Sequence, residues 1–159
     1  MDVLPKRFNG FNLSLHPKKT VLIPFGKLPA TVRKDNVNGK FDFLGFTFFW
    51  ARSLKGYWVI KKKTVGKRAR RFMKMIWQWC SKSRHDPIND QYAALCSKLR
   101  GFYQYYGVRS NYKILETIYE HAERTWRFWL SRRSHRGTVW FNKLRSKFPL
   151  PKPRIMHNI

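Results

Sequence analysis

The spacing of apolar positions changes period once along the chain, near residue 64. Before that point the apolar residues come in short runs. Val3–Asn12 reads as the end of a helix closed by Gly10 and Asn12. Thr20–Phe25 (TVLIPF) predicts a short strand, with Pro24 confining it to a sheet edge or a strand end. Leu28–Lys40, rich in Gly, Pro and Asn, predicts a loop. Phe41–Ala51 (FDFLGFTFFWA) predicts one strongly aromatic strand, and Lys55-Gly56 marks a turn into a second, Tyr57–Lys63 (YWVIKKK). Two such runs around a polar, Gly-containing connection read as a β-hairpin.

After residue 64 the period is that of a helix. Val65, Ala69, Phe72, Ile76, Trp79 and Cys80 share one face, with Lys67, Arg70, Arg71 and Lys74 lying away from it. Asp86-Pro87 interrupts, and Pro87 suits the first turn of the next helix. There Ile88, Tyr92, Leu95, Cys96, Leu99, Phe102 and Tyr106 repeat at helical spacing up to Gly107, a C-terminal stop. A third helix is predicted from Ser110 or Asn111, both good N-cap types, with Leu115, Ile118, Tyr119, Ala122, Trp126 and Trp129 as its stripe. A shorter helix over roughly 138–147 precedes an extended tail carrying Pro149, Pro151 and Pro153. The pattern therefore predicts an α+β, mostly α-helical chain: a small N-terminal hairpin region followed by a helical bundle.

Charge changes the picture from architecture to partner. Thirty-four Lys and Arg oppose eight Asp and Glu, a formal net charge of +26 on 159 residues. Such a chain is self-repulsive unless a polyanion neutralises it. Seven Trp, seven Tyr and thirteen Phe interleave with the cations and supply stacking faces, which points to nucleic acid. A membrane surface is the rival polyanion, but the longest apolar run, Phe43–Ala51, is far short of the roughly 20 residues of a span. The first 20 residues lack the apolar core and small-residue cleavage site of a signal peptide, so the expectation is a cytoplasmic protein, nucleoid- or ribonucleoprotein-associated. Cys80 and Cys96 fall on apolar stripes and read as reduced core residues. His16, His85, His121, His135 and His157 are scattered, with no close pair of metal ligands.

Three segments rise above composition: Gly10–Thr20 (GFNLSLHPKKT), Phe41–Phe46 (FDFLGF) and Leu99–Val108 (LRGFYQYYGV). In that order they resemble the C-terminal part of a bacterial group II intron-encoded protein, a reverse transcriptase with maturase activity. The first is similar to the sixth conserved polymerase block, with Leu15 and Lys18-Lys19-Thr20 in its usual arrangement. FDFLGF is similar to the seventh block, and LRGFYQYYGV to the signature of the maturase-specific, or X, domain. The likeness continues through Trp126–Arg133 (WRFWLSRR) and Arg136 to the Pro-rich tail. It implies a palm remnant with a primer-grip-like hairpin over 1–63, a helical thumb and maturase domain over 64–148, and a basic tail over 149–159.

The resemblance also implies what this chain lacks. Family polymerases hold two metal ions on carboxylates of a Tyr-Ala-Asp-Asp turn upstream of the matched blocks. No Y-x-D-D occurs here, and no two acids are adjacent. No catalytic residue is therefore assigned, no cofactor is expected in this chain, and Mg2+ belongs to the complete polymerase and to the intron RNA. Asp42 reads as a hairpin hydrogen-bond acceptor or ion-pair partner.

The candidate nucleic-acid contacts are the cations and flat polar groups of the matched segments. Lys18 and Lys19 precede a predicted strand. Gly45 lets another backbone approach closely. Lys61, Lys62, Lys63, Lys67, Arg68, Arg70, Arg71 and Lys74 form the densest basic stretch, in the region resembling the thumb that tracks a template–primer helix. If Leu99, Phe102 and Tyr106 point inward, then Arg100, Gln104 and Tyr105 face outward, where guanidinium and phenol suit irregular RNA. Arg124, Arg127, Arg132, Arg133 and Arg136 make a second surface. The expected partner is group II intron RNA, with an RNA–DNA template–primer as a further partner. Two alternatives stand beside it: half of a split polymerase completed by a separate fingers and palm chain, or a non-functional remnant.

Overall fold

The computed structural model describes residues 3–16, 20, 25, 39–133 and 141–157. The predicted strand over 20–25 and loop over 28–40, together with Lys18, Lys19 and Arg136, lie wholly or mostly outside the described residues. The fold is α+β and mostly helical, and backbone contacts divide it into two compact units, Met1–Gly39 and Lys40–Ile159. In the first, α1 (Val3–Asn9) closes on Asn12, which takes a left-handed φ of 54° while its amide donates to the Asn9 carbonyl.

The second unit begins with a three-stranded antiparallel meander, β1 (Lys40–Phe43), β2 (Phe46–Arg52) and β3 (Trp58–Thr64). Here the structure corrects the sequence reading. The single strand predicted over 41–51 is two strands, folded back at Leu44-Gly45 so that Phe43 pairs with Phe46. Leu44 and Gly45 have φ of 48° and 81°. Positive φ at both positions is what a two-residue hairpin turn matched to strand twist requires. Asp42 accepts a hydrogen bond from the Thr47 hydroxyl across this hairpin, as expected of a lone carboxylate there. The β2–β3 connection turns at Gly56, with φ of 82°.

Three long helices follow: α2 (Gly66–Lys82), α3 (Ile88–Tyr106) and α4 (Tyr112–Ser131). Their stripes meet as the 3.6-residue period requires, with Ile76, Leu95, Leu99, Leu115, Ile118 and Ala122 fully buried. Cys80 and Cys96 are reduced and buried in that core. Burial pushes the Cys80 thiol up to about 12. Trp126 is buried too, and its indole N–H donates to the Gln91 side chain at 3.0 Å. Gln91 in turn donates to the Asp86 carbonyl at 2.8 Å, tying the α2–α3 turn to α4. A short α5 (Phe141–Lys147) and the tail close the far side, where Phe148 packs against Tyr92 and Trp126.

Ser110 and Asn111 do not cap α4 with their side chains. They latch the sheet to the helices instead. The Ser110 hydroxyl accepts from the Lys62 amide and donates to its carbonyl, satisfying a strand edge. Buried Asn111 accepts from the Thr64 amide and donates to the Thr64 hydroxyl and the Tyr106 carbonyl. Gly107 does end α3, but its φ of −74° is ordinary. A glycine is required because a Cβ would lie 2.3 Å from the Tyr103 carbonyl oxygen and 2.9 Å from that of Arg154. The extended tail docks there, with the Met156 and His157 amides donating to the Gly107 carbonyl.

Candidate nucleic-acid interface

Two of the three motif segments come together in space. The Leu44-Gly45 turn sits on the C-terminal end of α3, where the Tyr105 hydroxyl donates to the Leu44 carbonyl at 2.8 Å. Phe46 stacks on Tyr105 with ring centres 5.8 Å apart and meets Tyr106 at 5.1 Å. The space left by the missing Cβ of Gly45 is filled by the Tyr106 hydroxyl, from which a Cβ would be 2.7 Å away. The Gly45 carbonyl accepts from the Val65 amide, fixing the entry to α2. Gly45, read as a place for close approach, is thus occupied by the chain's own tyrosine. Burial, then the neighbouring Tyr105, holds the Tyr106 phenol above its ordinary pKa, against the opposing pull of Arg68.

The basic stretch beside this junction divides by strand and helix geometry. Along β3, Lys61 donates to the Arg52 carbonyl at 2.9 Å, and Lys63 lies 5.2 Å from the ring centre of Phe49 on β2. Lys62 sits over Phe46 at 5.8 Å. On α2, Lys67, Arg68, Arg70, Arg71 and Lys74 are all exposed, while Ala69 among them and Ile76 just beyond are buried. None of the five belongs to either of the ion pairs among the described residues, which join Arg124 to Glu120 and Arg145 to Glu123. Seven residue steps from Lys67 to Lys74 cover roughly 10 Å of helix, enough to meet several phosphates.

On α3, Arg100, Gln104 and Tyr105 face outward as the helical register predicts, and Phe102 and Tyr103 are buried. Tyr105 keeps half its surface exposed although its hydroxyl is engaged. On and beyond α4 the arginines have separate tasks. Arg124 pairs with Glu120, Arg132 stacks over Phe128 at 4.3 Å, and Arg127 is exposed. Arg133 donates to the carbonyls of His85 at 3.0 Å and Asp86 at 2.7 Å, so it braces the α2–α3 turn.

Trp77 and Phe128 are two aromatic residues that the periodicity did not single out. Both are partly exposed, with ring centres 5.1 Å apart between α2 and α4, and Arg132 lies over Phe128. The usable signal was the spacing of aromatic and cation at three and four residues along a helix, Lys74–Trp77 and Phe128–Arg132. The chain's three glutamates, Glu116, Glu120 and Glu123, share a different hollow on α4 with Arg124, Arg145 and Lys152. Among the described residues no three His, Cys, Asp or Glu side chains gather to hold a metal ion, and no helix is long and apolar enough to cross a membrane. No family model, curated protein or solved structure matches the chain.

Proposed function

We propose that this chain binds structured RNA as a maturase-type fragment of a group II intron reverse transcriptase, stabilising folded intron RNA while the RNA itself supplies the chemistry. The observation that carries this reading is the exposed cationic face of α2, without an ion pair among the described residues, next to the junction between the FDFLGF turn and the LRGFYQYYGV helix. Each phosphate neutralised by Lys67, Arg70, Arg71 or Lys74 releases condensed counterions, which supplies affinity without sequence preference. Lys62, Arg100, Gln104 and Tyr105 add flat and polar groups suited to unpaired nucleotides. In a complete family protein the same surface would follow a template–primer; in this chain no Y-x-D-D carboxylates are present to polymerise on it. The reading places the protein in the cytoplasm, on ribonucleoprotein.

The test is RNA affinity as a function of salt. A log–log slope of about −0.7 to −0.9 per phosphate, summing to at least about five contacts, is the expected result. A nearly flat dependence would remove the electrostatic basis of the proposal. A second reading, half of a split RNA-directed DNA polymerase, draws on Phe43 and Leu44, which stand 58% and 67% exposed at the turn where a palm chain would cover them. Copurification and primer extension with a chain supplying fingers and palm would test it.

A further inference from the structure

A hollow of about 490 Å³ opens between the β1–β2 turn region and the last turns of α3. The rings of Phe46 and Tyr105, within 19° of parallel, line it together with Gly101, Gln104 and the ring of His157 from the docked tail. Lys62 stands at the same place with its ammonium over Phe46.

Gly101 is the informative residue. It lies inside α3, where glycine weakens a helix more than any residue but proline. Gly45 and Gly107 are each explained by an atom of this chain that a Cβ would strike. At Gly101 a Cβ would meet nothing within 4 Å. No atom of the described residues demands the glycine, and Gly101 itself lines the hollow. Gln104 supports the same conclusion. Its backbone carbonyl is engaged by His157 Nε2 at 2.7 Å, while its side-chain amide pairs with no described residue and offers one donor face and one acceptor face.

We propose that this hollow receives one unpaired base of a bound RNA, stacked against the Phe46–Tyr105 wall over Gly101, with Gln104 at the base edge and Lys62 at the adjoining phosphate. The inference rests on the RNA-binding reading above and adds to it a defined subsite for single-stranded nucleotides. Aromatic rings and a cation in one concave place suit a base and its phosphate, and the surrounding net charge favours that occupant over an apolar peptide.

Three RNA hairpins test it at one salt concentration: fully paired, carrying a single unpaired adenosine, and carrying an abasic nucleotide at the same position. The wild-type protein should bind the adenosine form about five- to a hundredfold tighter than the abasic form. Gly101→Leu, which fills the floor with a better helix former, should bring that ratio close to one while binding to the paired hairpin persists. Gly101→Ala should melt at a higher temperature than wild type. Gln104→Ala, an exposed change that cannot disturb the core, should lower the ratio severalfold and keeps the test valid if the leucine variant does not fold. A wild-type ratio of one with the paired hairpin still bound would overturn the pocket alone. So would a folded Gly101→Leu that keeps the full ratio, or an unchanged ratio in Gln104→Ala. Failure to bind any of the three hairpins would overturn the RNA-binding reading as well.

Discussion

Replacing Asn111 with Ala removes the latch between sheet and helices. Asn111 and Thr64 are each 1% exposed, and they share two hydrogen bonds, Thr64 N–H to Asn111 Oδ1 at 2.8 Å and Asn111 Nδ2–H to Thr64 Oγ1 at 2.7 Å. A third runs from Asn111 Nδ2 to the Tyr106 carbonyl at 2.9 Å. The alanine variant strands the Thr64 amide and hydroxyl without water, and each buried unpaired group costs about 1–3 kcal/mol. The two Thr64 groups alone then set the loss at about 2–6 kcal/mol, with the Tyr106 carbonyl adding to it. Against a typical total of about 5–15 kcal/mol this is a large fraction. Equilibrium urea unfolding, followed by tryptophan fluorescence and by helical circular dichroism, measures it directly. Ser110→Ala is the internal control, because its two bonds to the Lys62 backbone are exposed and their loss should cost about 1 kcal/mol or less. An Asn111→Ala protein within about 1 kcal/mol of wild type, or no weaker than Ser110→Ala, would refute the latch.

Gly45→Ala should cost roughly 1–3 kcal/mol, from φ of 81° and a Cβ 2.7 Å from the Tyr106 hydroxyl. Adding Tyr106→Phe should recover the steric part only, which a double-mutant cycle in urea resolves; full stability in Gly45→Ala alone would contradict the packing. Changing Lys67, Arg71 and Lys74 together to Gln should weaken RNA binding and flatten its salt slope by about two to three phosphate equivalents, with helicity unchanged. Burial holds the Cys80 thiol near 12 against an ordinary 9.0, so the folded state keeps a proton that the unfolded state loses. That contribution is fully present below about pH 9 and disappears as pH climbs towards 12. Stability should therefore fall across that alkaline window, and a Cys80→Ala protein should show a shallower fall. Native Cys80 should also resist alkylation at pH 8 until urea exposes it.

The helical half of this fold was legible because its apolar residues repeat at 3.6 and its punctuation is ordinary, as at Asp86-Pro87. The first hairpin was not, because its turn is apolar. Leu44 adopts a positive φ with no polar turn residue beside it, and Gly45 was the sole local sign within an aromatic run. Outward placement of Arg100, Gln104 and Tyr105 followed from helix register alone. Roles set by contacts distant in sequence did not. Ser110 and Asn111 look like helix caps yet serve strand β3 some 47 or 48 residues earlier. Arg133 looks like one more RNA-facing cation, yet its guanidinium donates to carbonyls 47 and 48 residues away. An Arg127, Arg132 and Arg133 triple substitution consequently mixes binding with folding, whereas the α2 cations separate them. Trp77 and Phe128 escaped notice because each lies beside its helix's stripe rather than on it.

The most direct measurement is competition for the purified protein between a folded group II intron RNA and an unstructured RNA of equal length, at roughly physiological salt. The account predicts clear preference for the folded intron, with the preference reduced by Gly101→Leu. Equal binding to both would contradict it and leave only the non-specific attraction of a chain with a net charge of +26.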